Sequence, residues 1–288
     1  MSLEKLRESY HRNLCRDIIR NNWDKRHKRH THLNFADKGN NFSIQTAYAI
    51  ADAIGCTPKT GNISGQTAGR LFEKITKNYL EESFDFLLHL RPGNWVYSTQ
   101  TEISRFVQYA HLARLEELIK MQPELDTVFG SDYIIKPDIV VGRLPVEDHD
   151  INRLGAQLTT ENKAARFSPL RERNQKRPRP ILHASISCKW TLRSDRAQNT
   201  RTETLNLIRN RKGPMAHASA VTAEPVPSRL SALALGTGDL DCVYHIALPE
   251  LQETLERLGF QESLKTLEML IEGERLRDIS DLPLDLAI

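Results

Sequence analysis

The stretch that most restricts the fold runs from Leu182 to Arg196, Leu-His-Ala-Ser-Ile-Ser-Cys-Lys-Trp-Thr-Leu-Arg-Ser-Asp-Arg. Its first half alternates: Leu182, Ala184, Ile186, Cys188 and Trp190 are apolar, whereas His183, Ser185, Ser187 and Lys189 are polar. Successive side chains leave opposite faces of a pleated backbone, so this pattern predicts a half-buried strand. The even positions face a core, and Ser187 and Lys189 share the opposite face. Ser194 then offers an N-cap hydroxyl, and a helical run follows to Gly213, where Pro214 stops it. Arg193 lies just before that helix, and Asp195 and Arg196 lie in its first turn. A strand-borne lysine and a set of charged side chains at a helix start are therefore a few residues apart.

The rest of the chain supplies helices and a few more strands. Helical spacing predicts helices over residues 2–22 (Leu3, Leu6, Tyr10, Leu14, Ile18), 43–54, about 70–90 and 101–121, with two more near 249–258 and 260–272. Tyr133–Val141, Ser219–Ala223 and Cys242–Ala247 read as strands, with Pro137 marking an edge or bend because it lacks a ladder donor. Helices outnumber strands, which predicts an α/β fold with a central mixed sheet of about five strands flanked by helices. At 288 residues this is read as a single domain with an N-terminal helical extension over about residues 1–60. The apolar tail Leu282–Ile288 should pack on another element or on a second subunit.

Charge and cysteine usage narrow the class. There are 40 basic and 37 acidic residues, so the net charge of +3 says little, but the charge is uneven. Lys25–His30 reads as a cationic loop, and the irregular stretch ending in Arg166–Pro180 as a cationic loop or flap, each suited to a phosphate backbone or to plain solvation. Cys15, Cys56, Cys188 and Cys242 form no Cys-x-x-Cys pair, which argues against a zinc site and against a disulfide framework. A reducing cytoplasm fits. No apolar run approaches the roughly 18 residues of a membrane span, and the charged N-terminus is unlike a signal peptide. The Gly-rich Ser64–Gly69 segment lacks the Gly-Lys-Ser/Thr ending of a phosphate-binding loop.

Phosphodiester cleavage needs a metal to polarise the phosphate, an activated water and charge stabilisation at the leaving oxygen. Mg²⁺ suits such work, being held by one or two carboxylates with phosphate oxygens and water. Pro137-Asp138 on one strand and Ser187-Cys188-Lys189 on another make a minimal skeleton for it. The usual motif carries an acid two residues before the lysine, and here that position is Ser187. Glu203 is the best replacement, since it lies on the helix after Ser194 and shares a face with Arg196 two turns earlier. Glu73 is the second candidate. Arg193 and Arg196 can each meet O6 and N7 of a guanine bidentately, and Asp195 can accept from cytosine N4, which suits a G·C-rich target. The alternative for each is bland: a turn aspartate, a solvated lysine, a surface glutamate, and arginines paired to surface acids. Arg209–Lys212 would serve as phosphate contacts or as a favourable helix C-terminus.

These residues resemble the type II restriction endonucleases that recognise a CCGG core, most closely those of the NgoMIV type. The resemblance rests on Gly65-Gln-Thr, Arg91-Pro-Gly-Asn-Trp95, Gly130-Ser-Asp-Tyr133, Pro137-Asp-Ile-Val, His183 to Arg196, Asn210-Arg-Lys-Gly213, Ala234-Leu-Gly-Thr-Gly238 and Asp278 to Leu286. It covers the chain from about residue 34. It implies a restriction-endonuclease-like PD-(D/E)xK core in a variant form whose second acid has moved to the helix after the lysine. Asp138 and the Cys188 backbone carbonyl are then metal ligands for Mg²⁺, Lys189 is the catalytic lysine, and Glu203, Glu73 and Ser187 complete the site. Arg193, Asp195 and Arg196 would read the CCGG core and Gln66 the minor groove. Asp37 and Arg229 would contact the outer base pair, making GCCGGC the site, although Lys38 departs from the family pattern. The resemblance also implies cleavage of double-stranded DNA with 5′ overhangs by a homo-oligomer, a dimer or a tetramer that holds two sites. Two rivals stand beside this reading: a DNA-binding regulator with a decayed nuclease site, and a structure-specific repair nuclease on the same core.

Overall fold

The computed structural model describes residues 2–24, 29–121, 135–161, 163–235 and 239–288. The N-terminal part contains α1 (Leu3–Asp17), β1 (Arg20–Asp24), β2 (Arg29–Leu33), α2 (Asn41–Ala53), β3 (Lys59–Thr60) and α3 (Gly65–Phe86). Next come β4 (Trp95–Thr99), α4 (Ala110–Met121), β5 (Ile139–Arg143), the single turn α5 (Asp148–Ile151), β6 (Ile181–Lys189) and α6 (Ser194–Asn210). The last part holds β7 (His217–Thr222), α7 (Pro227–Ala234), β8 (Cys242–His245), α8 (Leu248–Arg257), α9 (Gln261–Glu272), β9 (Leu276–Asp278) and α10 (Leu282–Asp285).

The expected α/β class is present, with six strands in the main sheet rather than about five. Their order is β4-β5-β6-β7-β8-β9, and a small sheet has the order β2-β1-β3. The main sheet is mixed: β4 and β5 are antiparallel, whereas β7, β8 and β9 run parallel. The additional strands are β4, Trp-Val-Tyr-Ser-Thr after the Arg91-Pro92-Gly93 turn, and the three-residue β9. Strand β6 spans the predicted alternation: its apolar face is fully buried, and on the other face His183 and Ser187 are buried too while Ser185 and Lys189 are half-buried. A central strand is covered on both sides, so period-two alternation there does not mark a wet face. The predicted strand at Tyr133–Val141 is observed as β5, which begins after Asp138; Tyr133 and Ile134 lie outside the described residues.

By contact density the chain divides into two compact units. The first comprises residues 1–91, 186–204 and 218–288, and the second residues 92–185 and 205–217. In the first unit, Ser2 caps α1 by accepting from Lys5 N–H, and Leu6, Tyr10 and Leu14 form its buried stripe. Helix α1 ends at Asp17, short of the predicted residue 22, because Ile18 and Ile19 are both fully buried off the helix and Arg20 opens β1. Tyr10 packs on α3, with its hydroxyl 3.0 Å from Thr76 Oγ1 and its ring 4.9 Å from that of Tyr79. Helix α3 ends at Phe86 and leaves Leu90 exposed in a following turn. The C-terminal tail packs on its own unit through Leu282 and Leu286, which are buried, and through α10 against α3, whereas Leu284 and Ile288 stay exposed.

In the second unit, the predicted helix over 101–121 is split. Residues 103–105 and 107–109 form two tight turns, and the α-helix starts only at Ala110. The reason is Gln108, whose side chain accepts from Leu182 N–H (2.9 Å) and donates to Leu182 O (2.7 Å), capturing the start of β6. Gly142 on β5 permits close packing, since a Cβ there would stand 2.8 Å from Phe106. The cationic segment before β6 is partly folded. Arg171 is buried and forms a two-pronged ion pair with Asp148 on α5, so it is withdrawn from any partner.

Two expectations are corrected. Cys15 and Cys56 form a disulfide, which spacing did not suggest because the pairing joins the end of α1 to the turn after α2 across 41 residues. The cationic stretch predicted as a loop contributes Arg29 and His30 to β2; residues 25–28 lie outside the described residues. Among the described residues no helix is long and apolar enough to cross a membrane.

Candidate active site

Lys189 is the last residue of β6 and is half-buried. The next residue, Trp190, anchors two other segments. Its ring meets Phe35 edge-on at 5.7 Å and Phe72 at 5.1 Å. Phe72 precedes Glu73 on α3, so this aromatic contact fastens Glu73 one residue from a neighbour of Lys189. Phe35 precedes Asp37 by two residues, so the same indole fixes the loop that carries Asp37. Aromatic pairs of this geometry add about 0.5–1.5 kcal/mol beyond area burial.

Helix α6 is fastened to the other side of Lys189 in sequence. Ser187, at the position where the usual motif has an acid, has its Oγ 3.3 Å from Thr200 Oγ1. Thr200 is fully buried, and it also donates to Arg196 O at 3.0 Å. Ala197, Thr200, Thr204 and Leu207 make the buried stripe of α6. Glu203 lies one turn beyond Thr200, on the flank of that stripe with Arg196, and is exposed. The cap of α6 sits one residue earlier than predicted, because Arg193 O accepts the first helical N–H, from Ala197.

Asp138 belongs to the second unit. The β4–β5 register pairs Thr99 with Ile139, which sets Gln100 opposite Asp138 one step further out. Gln100 N–H donates to Asp138 O at 3.3 Å, and its side-chain amide lies 3.4 Å from Asp138 Oδ1. Gln100 adopts a left-handed backbone, φ 53°. Asp138 itself is half-buried.

A second constellation lies in the first unit. A cavity of about 450 Å³ is lined by Asp37, Leu192, Arg193, Ala197, Ser228, Arg229 and Ala232. Arg229, on α7, forms a short ion pair with Asp37. Its other terminal nitrogen is 3.5 Å from Glu224 Oε1. Glu224 is buried, and burial pushes its carboxyl up to about 7. Arg193 is exposed, whereas Arg196 folds back to donate to Thr191 Oγ1 (2.9 Å) and Thr191 O (3.2 Å). Three predicted residues from distant segments, Asp37, Arg193 and Arg229, thus share one cavity. Gln66 is exposed in the first turn of α3 and does not line it; Asp195 is helical, and its side chain lies outside the described residues.

Sequence reasoning missed Glu224, Thr200 and Gln100. Glu224 had a faint signal, an acid standing between a strand and Pro225 in an otherwise uncharged run. Thr200 and Gln100 had none, since their roles depend on what lies opposite them.

The NgoMIV restriction enzyme family model matches residues 10–288. A curated relative, the type II restriction enzyme NgoMIV of Neisseria gonorrhoeae, is 46% identical over 258 residues, covering 88% of this chain and 89% of the relative. This chain belongs to the NgoMIV restriction enzyme family. The family match begins inside α1, well before residue 34 where the resemblance read from the sequence starts, and it runs through both compact units. Membership makes the chain a type II restriction endonuclease by class, with the restriction-enzyme fold expected from the Pro137-Asp138 and Lys189 segments.

Proposed function

We propose that this NgoMIV-family chain is a Mg²⁺-dependent endonuclease that hydrolyses double-stranded DNA at GCCGGC and leaves 5′ overhangs. The observation that carries the cleavage reading is the Ser187–Thr200 contact. It ties the helix bearing Glu203 to the one position where the lysine-containing motif lacks its acid. Asp138, Glu203 and the Cys188 backbone carbonyl would hold the ion, with Glu73 as a further acid. Mg²⁺ takes one or two carboxylates and completes its shell with phosphate and water. All the proposed donors are hard oxygens, the Cys188 backbone carbonyl included, as Mg²⁺ prefers. When bound, the ion polarises the scissile phosphate and favours ionisation of the attacking water.

The chain's own groups do the rest. Lys189 is a compact cation that orients the water or stabilises the phosphate. Ser187 holds α6 in place. Arg193, Asp195 and Arg196 read the C·G core from the major groove, Gln66 the minor groove, and Asp37 with Arg229 the outer pair. The three residues around the 450 Å³ cavity support that division, since acid and base from remote segments face one space. A palindromic site calls for two-fold symmetry, so the working form is a homo-oligomer, a dimer or a tetramer holding two sites. We read residues 1–288 as one nuclease domain with an N-terminal extension over about residues 1–60, acting in the cytoplasm where its DNA substrate lies.

A digest of DNA of known sequence with Mg²⁺, with the fragment ends sequenced, tests this. Cuts confined to GCCGGC, lost in EDTA, are expected. Sequence-specific binding without cleavage by the folded protein would make it a decayed regulator. Cuts placed by junctions or flaps rather than by sequence would make it a repair nuclease.

A further inference from the structure

Glu224 is a buried carboxylate that the cleavage reading leaves without a role. It sits between β7 and α7, and its residue is 1% exposed. Its two oxygens face different segments. Oε2 accepts from Leu192 N–H at 2.8 Å, in the link between β6 and α6. Oε1 faces Arg229 Nη1 at 3.5 Å, while Nη2 of the same guanidinium holds Asp37. Leu192, Arg229 and Asp37 all line the 450 Å³ cavity, and Arg193 follows Leu192 directly.

We propose that Glu224 is a positioning residue for sequence readout: it locks Arg229 and the Leu192–Arg193 segment into one rigid body, so that the outer-pair contact and the core contact are made together. The proposal rests on the reading that Asp37 and Arg229 meet the outer base pair and Arg193 the core. A backbone N–H can be satisfied by a neutral acceptor, so Leu192 by itself does not call for a carboxylate. Burying a carboxylate costs free energy unless a partner offsets it, and burial does push Glu224 up to about 7. In its ionised form, above that pH, the carboxylate adds a second, charged anchor for the Arg229 guanidinium. That group is planar with five donors in a fixed fork. With Asp37 on one terminal nitrogen and Glu224 facing the other, its plane and direction are set before DNA arrives. Pre-set donors make discrimination sharper because less side-chain freedom is lost on binding.

Glu224→Gln separates the two functions: an amide oxygen still accepts from Leu192, but Arg229 loses the charge it faces. Cleavage by the purified enzyme is compared on three duplexes, one with GCCGGC, one with the outer pair exchanged, and one with a core pair exchanged. The ratio of kcat/KM between duplexes is read from one preparation, so the folded fraction cancels. The outer-pair ratio should fall about tenfold, the scale of one weakened base contact, mostly through KM. A Glu224→Gln, Arg229→Ala double variant should show no further loss beyond Arg229→Ala. A variant that melts earlier yet keeps both ratios would overturn the proposal and make Glu224 a structural acceptor only. If Glu224→Gln does not fold, Glu224→Asp carries the test. It pulls the carboxylate back by one methylene, and an unchanged outer-pair ratio then overturns the proposal as well. Arg229→Ala alone tests the underlying reading. If it leaves outer-pair discrimination intact, Arg229 is not the reader, whatever Glu224 does.

Discussion

Replacing Arg7 with alanine should cost the protein about 3 kcal/mol without touching its chemistry. Arg7 lies on α1 and clamps two carboxylates. It donates to Glu250 on α8 at 2.7 and 2.6 Å, and to Asp278 at the end of β9 at 2.8 and 2.9 Å. Asp278 also accepts from Leu248 N–H, Ser280 N–H and the Ser280 hydroxyl. Removing one partner from a buried pair typically costs about 3–5 kcal/mol, because the remaining charge loses its compensation. The Arg7 and Glu250 side chains keep 19% and 16% exposure, so water softens the loss and the lower end applies. For a chain of this size about 2 °C of Tm accompanies each kcal/mol, which gives a drop of about 6 °C. The pH dependence follows from Asp278. Burial works to raise its carboxyl, but the Arg7 hydrogen bonds and charge hold it below the usual aspartate range. A depressed carboxylate contributes stability that is present above its unfolded pKa and lost as pH falls through its folded one. In Arg7→Ala the burial acts without that offset, so the difference between wild type and variant should be greatest at neutral pH and above and shrink as pH falls through the acid range toward the depressed wild-type value. Thermal melts at several pH values, with DNA cleavage at 25 °C as the control, make the measurement. A melt within 1 °C of wild type at pH 7 would refute the clamp, and a difference that vanished already by pH 6 would refute its assignment to Asp278.

Asp138→Ala and Lys189→Ala should each abolish cleavage while specific DNA binding survives in a gel-shift assay with Ca²⁺; loss of specific binding by the folded variants would count against their roles. Arg196→Ala should cost about 1–3 kcal/mol of discrimination at one base pair, measured on a panel of single-substitution sites. Equal weakening on every sequence would instead make Arg196 a phosphate contact. Cys15→Ser should lower stability by as much as about 4 kcal/mol, since the bond closes a loop of 41 residues. A denaturant midpoint unchanged from that of the oxidised wild type would show that the bond does not constrain the unfolded chain.

Much of the site was readable because its signals are local. Alternation over Leu182–Trp190 depends only on neighbours in sequence, and it correctly yields β6 with Lys189 at its end. The stripe Leu6, Tyr10 and Leu14 likewise marks α1, whereas α3 starts at Gly65 rather than near residue 70, because the Ser64 hydroxyl caps it by accepting from Thr67 N–H. Exposed and buried faces were less legible. Ser187 was expected on a wet face, yet it is covered and bonded to Thr200, because β6 lies inside the sheet. Strands β4 and β9 were missed for a related reason: a strand of five or three residues is too short for a period to show and is defined by its ladder, whose partner is elsewhere in the chain.

The sequence by itself determined the local conformations, the family, and the candidate acids and lysine, since periodicity and motif spacing are properties of contiguous residues. Only the tertiary structure decided which remote groups meet. It joined Asp37 to Arg229, set Glu224 behind them, linked Cys15 to Cys56, and placed Asp278 in a buried clamp with Arg7. Those pairings depend on burial, where desolvation raises the stakes of every charge, and burial is settled by the whole chain at once.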